Sequence, residues 1–187
     1  MRFCLSTMRV YWSRFNLFLA LAVLLTPLCG CTSLFHKNQP VGAMRIHIEL
    51  APENAAAQTG EAETVSLLRA NPVQVTIDKT PILTEANLLA AKVIATPDAP
   101  AIEVRFDDNG TWILEQYTAS NPGRHLVIYG QWGKKLKEGR WLAAPLITGR
   151  LNYGILSFTP DMTRDEANKF VLGLNTVAKQ FQTTGSE

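Results

Sequence analysis

Alternating apolar and polar side chains predict β-strands along most of the chain after residue 43. Every second residue from Met44 to Leu50 is apolar, and the residues between them are polar. This period of two is typical of a strand that buries one face. Further strands are predicted at 64–69, 72–78, 92–96, 101–106, 124–130, 140–147 and 153–158.

Two helices are predicted between these strands from their capping residues. Thr84 can cap a helix at 85–91, because its hydroxyl can accept a hydrogen bond from a free backbone N–H of the first turn. Asp107 or Asp108 can cap a second helix, which runs to about Ser120 and stops at the sequence Asn-Pro-Gly.

The third predicted helix, near the C-terminus, is the most clearly marked. Thr163 and Glu166 have the spacing of a capping box, and apolar residues then recur at helical intervals from Ala167 to Phe181. Such a stripe predicts packing against the open face of an antiparallel sheet. We therefore expect an α+β fold: a largely antiparallel sheet with about three helices packed on it, with split βαβ character.

The first thirty residues have the layout of a secretory signal. Arg2, Arg9 and Arg14 are the only charged residues among them, no acidic residue appears before Glu49, and the nine-residue apolar run Leu17–Leu25 follows the arginines. This run is shorter than the roughly 20 residues of a membrane-spanning helix. Residues 28–31, Leu-Cys-Gly-Cys, then resemble the lipobox of bacterial lipoproteins. The alternatives are an uncleaved N-terminal anchor or a signal peptide cut elsewhere.

The lipobox resemblance implies a lipid anchor and a domain organisation. Cleavage leaves Cys31 at the new N-terminus, where it carries diacylglycerol, and removes the other two cysteines. Thr32 resembles the residue after the cysteine in outer-membrane lipoproteins, so a periplasm-facing protein held in the outer membrane is expected. The expected organisation is a signal peptide (1–30), a lipidated tether (31–42), one α+β domain (43–182) and a short tail (183–187).

The charge of the expected mature chain argues against a nucleic-acid partner. Three of the 18 basic residues and none of the 16 acidic residues lie in the leader, which leaves 15 basic against 16 acidic residues. Nucleic-acid-binding domains are usually strongly basic. The 157 residues that remain suit a single domain whose stability comes from a hydrophobic core.

Three stretches resemble the head subdomain of the first periplasmic domain of SecD, a subunit of the bacterial protein-export machinery. They lie at 79–93, 102–129 and 140–170, and the similarity as a whole covers about 70–180. The resemblance rests mainly on caps, turns and apolar positions. The matching residues are Gly110, Thr118, Asn121, Gly123, Ala144, Pro145, Gly154, Phe158, Thr159, Glu166 and Ala167. SecD also has membrane helices, which carry its proton-coupled work, so the resemblance implies no motor activity here.

The motifs of common enzyme and metal sites are missing from the sequence. The expected mature chain has no G-x-S-x-G, H-E-x-x-H, cysteine pair or P-loop, so we expect no enzymatic activity, no cofactor and no metal. His36 falls in the tether, and His47 and His125 are predicted on the solvent face of strands. The pair Asp107–Asp108 is interpreted as helix capping.

A basic segment between two tryptophans is the one candidate contact surface. Its residues are Trp132, Lys134, Lys135, Lys137, Arg140 and Trp141. One interpretation is a solvated hairpin tip. The other is a site for anionic lipid headgroups or an acidic partner, since tryptophan and basic side chains both suit a membrane surface.

Function is predicted from the resemblance together with these absences. The first hypothesis is a lipid-anchored binding module of the cell envelope that assists protein export or maturation by binding polypeptide or translocase components. The alternative is a structural or assembly adaptor that reuses the fold without a role in translocation. An enzyme with a site built from loops is a third hypothesis.

Overall fold

The computed structural model describes residues 39–51, 61–97 and 99–184, so the predicted leader and the predicted lipidation residue Cys31 lie outside the described residues. Nine β-strands and two α-helices make up the regular structure of this part of the chain. They are β1 (Ala43–Ile48), β2 (Ala62–Leu67), β3 (Val73–Asp78), β4 (Leu83–Thr84), β5 (Leu88–Ile94), β6 (Ala101–Phe106), α1 (Asp108–Ser120), β7 (Leu126–Trp132), β8 (Glu138–Ala143), β9 (Ile155–Phe158) and α2 (Arg164–Thr184).

These strands form three antiparallel sheets. The largest has the order β4-β1-β7-β8, a second has the order β5-β6-β9, and β2 pairs only with β3 as a hairpin. The register of the large sheet puts Ile46 of β1 opposite Ile128 of β7. The predicted strand at 44–50 is therefore β1, one of the two inner strands of this sheet, which begins one residue and ends two residues earlier than predicted.

The predicted α+β fold with about three helices on one sheet is wrong. The described residues contain two α-helices and three sheets, so the domain is mainly β. The first predicted helix, 85–91, is missing: Thr84 caps only a single 3-10 turn, Glu85–Asn87, and the chain then continues as β5. Because β5 pairs with β6 along its length, strand pairing outweighs the helix propensity of its leucines and alanines.

The main core lies between the four-stranded sheet, the three-stranded sheet and α2. The capping box predicted for α2 is present: Thr163 N–H donates to Glu166 Oε2 at 2.8 Å, and Glu166 N–H donates to Thr163 Oγ1 at 3.3 Å. The apolar stripe of α2 faces this core. Its fully buried members are Ala167, Phe170, Leu174 and Ala178.

The β2–β3 hairpin covers the opposite face of the four-stranded sheet. Its inward side chains form a second, smaller core with Val127 of β7, and Trp141 and Ala144 pack at the margin. These inward residues are Val65, Leu67, Val75 and Ile77. The four-stranded sheet is thus apolar on both faces over part of its area, which is why β7 reads as a continuous apolar run at 126–128.

Neither described helix combines the length and the apolar character that are needed to span a bilayer.

Gly42, just before β1, lies against the backbone of α2, where an added Cβ would come within 2.8 Å of Leu174 N. The last residue of the predicted tether is therefore in contact with the domain.

Candidate functional site

An apolar cleft of about 430 Å³ opens between the β2–β3 hairpin and the ends of β8 and β9. One wall comes from the hairpin and the other from the main body of the domain. Most of its lining side chains are aliphatic or aromatic, which suits apolar ligands. The lining residues are Leu67, Leu68, Val73, Val75, His125, Ala143, Ala144, Pro145, Phe158 and Thr159.

The hairpin wall of the cleft presents exposed apolar side chains at its rim. Leu68 is the first residue of the loop that joins β2 to β3, Val73 is the first residue of β3, and they remain 44% and 46% exposed. Leu68 also has a left-handed backbone, with φ of 62°. A non-glycine residue in this conformation costs about 1 kcal/mol or more, and such strain recurs at binding and switch sites as well as in tight turns.

Arg69 pins the tip of the hairpin to the loop between β9 and α2. Its backbone N–H and its Nε both donate to Asp161 Oδ2, at 2.9 and 3.1 Å, and its Nη2 donates to Asp161 Oδ1 at 3.2 Å. The hydrogen bond from Arg69 is the main reason that the pKa of Asp161 lies below its usual range. The same bond raises the pKa of Arg69. Because Arg69 is exposed, salt screens this contact.

On the body side of the cleft, His125 is held by Glu49. The Nδ1 atom of His125 lies 2.6 Å from Glu49 Oε2, and the His125 backbone N–H donates to the same oxygen at 2.9 Å. This pair fixes the imidazole ring beside an otherwise apolar surface. Within the described ranges, no group of three or more histidine, cysteine or acidic residues is close enough to hold a metal ion.

The predicted contact surface around the basic segment contains both buried and exposed residues in the structure. Trp132 is fully buried, and its ring packs edge-on against Phe170 at 5.9 Å. Arg140 lies over Trp132 and bonds to Asp161 O and to Glu166, so it belongs to the packed domain. Trp141 is half-buried on the face that the hairpin covers.

Three lysines remain exposed at this loop. Lys134, Lys135 and Lys137 project from a turn in which Lys135 has a left-handed backbone, with φ of 57°. A lipid or acidic-partner contact at this loop stays a prediction, and the lysines are the members of the segment that are free to make it.

A second, more polar cleft of about 400 Å³ lies at the other end of the hairpin, next to Trp141. His47 borders it, and the prediction that this histidine faces solvent is wrong, because its exposed fraction is only 6%. Its Nδ1 donates to Asp78 O at 2.8 Å, and its ring meets Trp141 edge-on at 5.3 Å. Burial is the main cause that lowers the pKa of His47, with a smaller contribution from the positive charge of Arg45.

Four residues that carry the resemblance to SecD line the apolar cleft: Ala144, Pro145, Phe158 and Thr159. The hairpin wall of the cleft was not predicted from the sequence. Its signal was the pair Leu67–Leu68 directly before a polar loop, where one leucine must turn outward. A mainly antiparallel domain with an apolar cleft under a hairpin is therefore the class of protein that the fold and site define.

Comparison with known families identifies that class further. The family model of the SecDF P1 head subdomain matches residues 61–178, and this chain belongs to that family. The resemblance predicted from the sequence is thereby confirmed. A search of curated proteins found no match.

Solved structures of SecDF are similar to this chain. One, a membrane component that enhances protein export, is 18% identical, with a TM-score of 0.50, and the match covers 73% of this chain and 63% of that one. SecDF in a super-membrane-facing form is 14% identical, with a TM-score of 0.44, over 72% of this chain and 28% of that one. SecDF from Thermus thermophilus, described as translocon-associated, is 14% identical, with a TM-score of 0.38, over 75% and 29%. This chain therefore spans less than two thirds of each of these relatives.

Proposed function

We propose that this domain is a non-enzymatic binding module of the bacterial cell envelope that holds apolar segments of polypeptide in the cleft beneath the β2–β3 hairpin. The observation that carries the proposal is the cleft itself, whose rim exposes Leu68 and Val73 to solvent. The SecDF structure that is 18% identical belongs to a membrane component that enhances protein export. The expected partner is therefore a polypeptide in transit or a component of the translocase. The module faces the periplasm and has no motor activity of its own.

The chemistry of the cleft supports non-covalent binding. Burying one leucine-sized side chain contributes about 1.5–3 kcal/mol, so a cleft of this size can hold a few such side chains with useful affinity. The polar side chains of its lining are His125, already held by Glu49, and Thr159. Nothing in this lining pairs a nucleophile with a base.

Peptide binding to leucine variants tests the proposal. The probe is a fluorescein-labelled decapeptide that alternates leucine with serine, followed by fluorescence anisotropy. Leu68→Asp should weaken binding about tenfold or more, because it removes apolar rim surface and places a charge there. Aspartate tolerates a left-handed backbone, so the fold is expected to survive.

Leu172→Asp is the matched control, because Leu172 is an exposed leucine on the outer face of α2. It should bind the peptide like the wild type. Equal binding by Leu68→Asp and the wild type, or no binding by the wild type, contradicts the proposal.

We further propose that Cys31 carries the lipid that anchors the module to a membrane of the envelope. The sequence supports this through the order of basic residues, apolar run and lipobox cysteine. Metabolic labelling of the full chain with an alkyne palmitate analogue should mark the wild type and not Cys31→Ser. A label that persists in the variant, or is absent from both, argues against the anchor.

A further inference from the structure

Strand β9 has one edge that no segment of the described chain pairs with. It is the terminal strand of its sheet, and β6 is its neighbour. The N–H of Phe106 donates to Gly154 O at 2.9 Å, so the carbonyl of Gly154 points toward β6. Backbone groups alternate along a strand, so those of Ile155 and Ser157 point away from β6, toward the open edge.

Three other strand edges in the described ranges, those of β5, β8 and β3, carry specific contacts. The side-chain amide of Asn175 both accepts from Ala91 N–H and donates to Ala91 O, each at 2.8 Å, and thereby caps the outer edge of β5. On β8, Leu142 O accepts from Asp161 N–H at 2.8 Å, and on β3, Thr76 O accepts from Leu50 N–H at 2.9 Å. Proteins usually protect sheet edges in this way, so an edge without such contacts, as on β9, is available for pairing with another strand.

The open edge continues into the apolar cleft. Phe158 ends β9, and it lines the cleft together with Thr159. A strand laid beside β9 would place its side chains alternately on the two faces of the sheet. A side chain of the added strand that lies beside Phe158 would enter the cleft, while those on the side of Ile155 and Ser157 would point to solvent.

We propose that the open edge of β9 is a docking site for an extended segment of another polypeptide, which joins the sheet as an added strand and sends alternate apolar side chains into the cleft. The proposal rests on the proposed function and gives its mode of binding. Main-chain hydrogen bonds to the edge supply affinity that does not depend on sequence, and the cleft selects apolar side chains.

A second copy of this chain fits the same edge less well. Its own β9 would have to supply the side chains that enter the cleft. In that strand, Leu156 and Phe158 are already buried in the core, at 4% and 5% exposed. A flexible segment from another polypeptide has no such constraint.

A backbone substitution separates edge pairing from cleft filling. Ser157→Pro removes the N–H that points to the open edge and leaves the bonds between β9 and β6, because proline is tolerated at an outward-facing position of an edge strand. With the leucine–serine decapeptide as probe, we expect binding by Ser157→Pro to fall about tenfold, and Ser157→Ala to bind like the wild type. The same peptide N-methylated at every second residue should also bind the wild-type protein about tenfold more weakly than the unmodified peptide does.

The outcomes distinguish this inference from the proposed function. If Leu68→Asp loses binding while Ser157→Pro and the N-methylated peptide bind normally, the edge is not used and the cleft alone binds. If the wild type binds no peptide, both proposals fail. If Ser157→Pro instead converts a dimer to a monomer in light scattering, the occupant is a second copy. The N-methylated peptide decides the matter should Ser157→Pro not fold.

Discussion

The guanidinium of Arg140 lies 4.9 Å from the centre of the Trp132 ring, with Trp132 fully buried beneath it. The same guanidinium donates to Asp161 O at 2.9 and 3.0 Å and to Glu166 Oε2 at 2.9 Å. Arg140 therefore joins β8 to the loop after β9 and to the first turn of α2. Burial alone would raise the pKa of Glu166, but hydrogen bonds from Thr163 and Arg140 lower it overall.

Replacing Arg140 is expected to destabilise the domain. Arg140→Ala should lower the free energy of unfolding by about 1.5–3 kcal/mol, the usual effect of losing hydrogen bonds to a charged group. Arg140→Lys should recover only part of this, because an ammonium group cannot bond to both acceptors in the same planar geometry. Urea denaturation measures both variants. A loss below about 0.5 kcal/mol in Arg140→Ala would show that the contact is only a surface one.

The exposed lysine loop gives a prediction about anionic lipid. Reversing Lys134, Lys135 and Lys137 to glutamate should weaken binding to phosphatidylglycerol vesicles on the order of 100-fold, since each lysine contributes about 1 kcal/mol near such a surface. Stability should change little, because all three are exposed.

Co-sedimentation with vesicles measures this binding. Reversal of three exposed cations on α2, Arg164, Lys169 and Lys179, is the matched control and should bind like the wild type. Equal loss in both triple variants would indicate an effect of net charge alone, and no loss in either would remove the lysine loop as a contact site.

Strand alternation predicted most of the sheet structure, because a half-buried strand leaves a local pattern. The same alternation indicates that Trp132 is buried. The alternate residues Leu126, Ile128, Gly130 and Trp132 share one face of β7, and that face is buried along its length. Placing Trp132 with the basic segment therefore overlooked the period of two.

The wrong prediction of a helix at 85–91, where the structure has β5, has a different cause. Residues 88–94 contain good helix formers behind a true helix cap at Thr84, so local rules favour a helix. The contacts that make them a strand come from afar: β6 pairs on one edge and Asn175 closes the other, 84 positions later in the chain. The hairpin wall of the cleft likewise depends on how β2 and β3 pack against the four-stranded sheet, and the alternation of residues within each strand does not predict that packing.

The buried histidine His47 predicts a pH dependence of stability. Its folded-state pKa lies below the ordinary value near 6.5, so the unfolded chain binds the proton more readily. The free energy of unfolding should therefore fall as pH drops below about 6.5, and this loss is absent at neutral pH and above. Asp161 and Glu166, whose pKa values are lowered, add a further loss only below about pH 4.5.

Urea denaturation at pH 7.5 and at pH 5.5 measures the effect. His47→Gln should flatten the difference between the two pH values, because glutamine can donate to Asp78 O and does not titrate. All other titratable groups are the same in both proteins, so the difference between them isolates His47. An unchanged pH dependence in His47→Gln would show that other groups cause it.

Loosening the contact between Arg69 and Asp161 should open the cleft. At its base the hairpin is anchored by the bond from Leu50 N–H to Thr76 O, whereas at its tip Arg69 and Asp161 provide an exposed, salt-screened pin. Arg69→Gln should therefore speed hydrogen exchange of the β2 and β3 amides several-fold and raise the association rate of the apolar decapeptide.

Raising the salt concentration from about 0.05 to about 0.5 M should bring the exchange and association rates of the wild type closer to those of Arg69→Gln, because the Debye length falls well below 10 Å. Arg105→Gln, which changes an exposed arginine on β6, should alter neither quantity. If exchange in the hairpin is the same in Arg69→Gln and in the wild type, the pin does not control the cleft, and its width is set by the packing of Val65 and Ile77 alone.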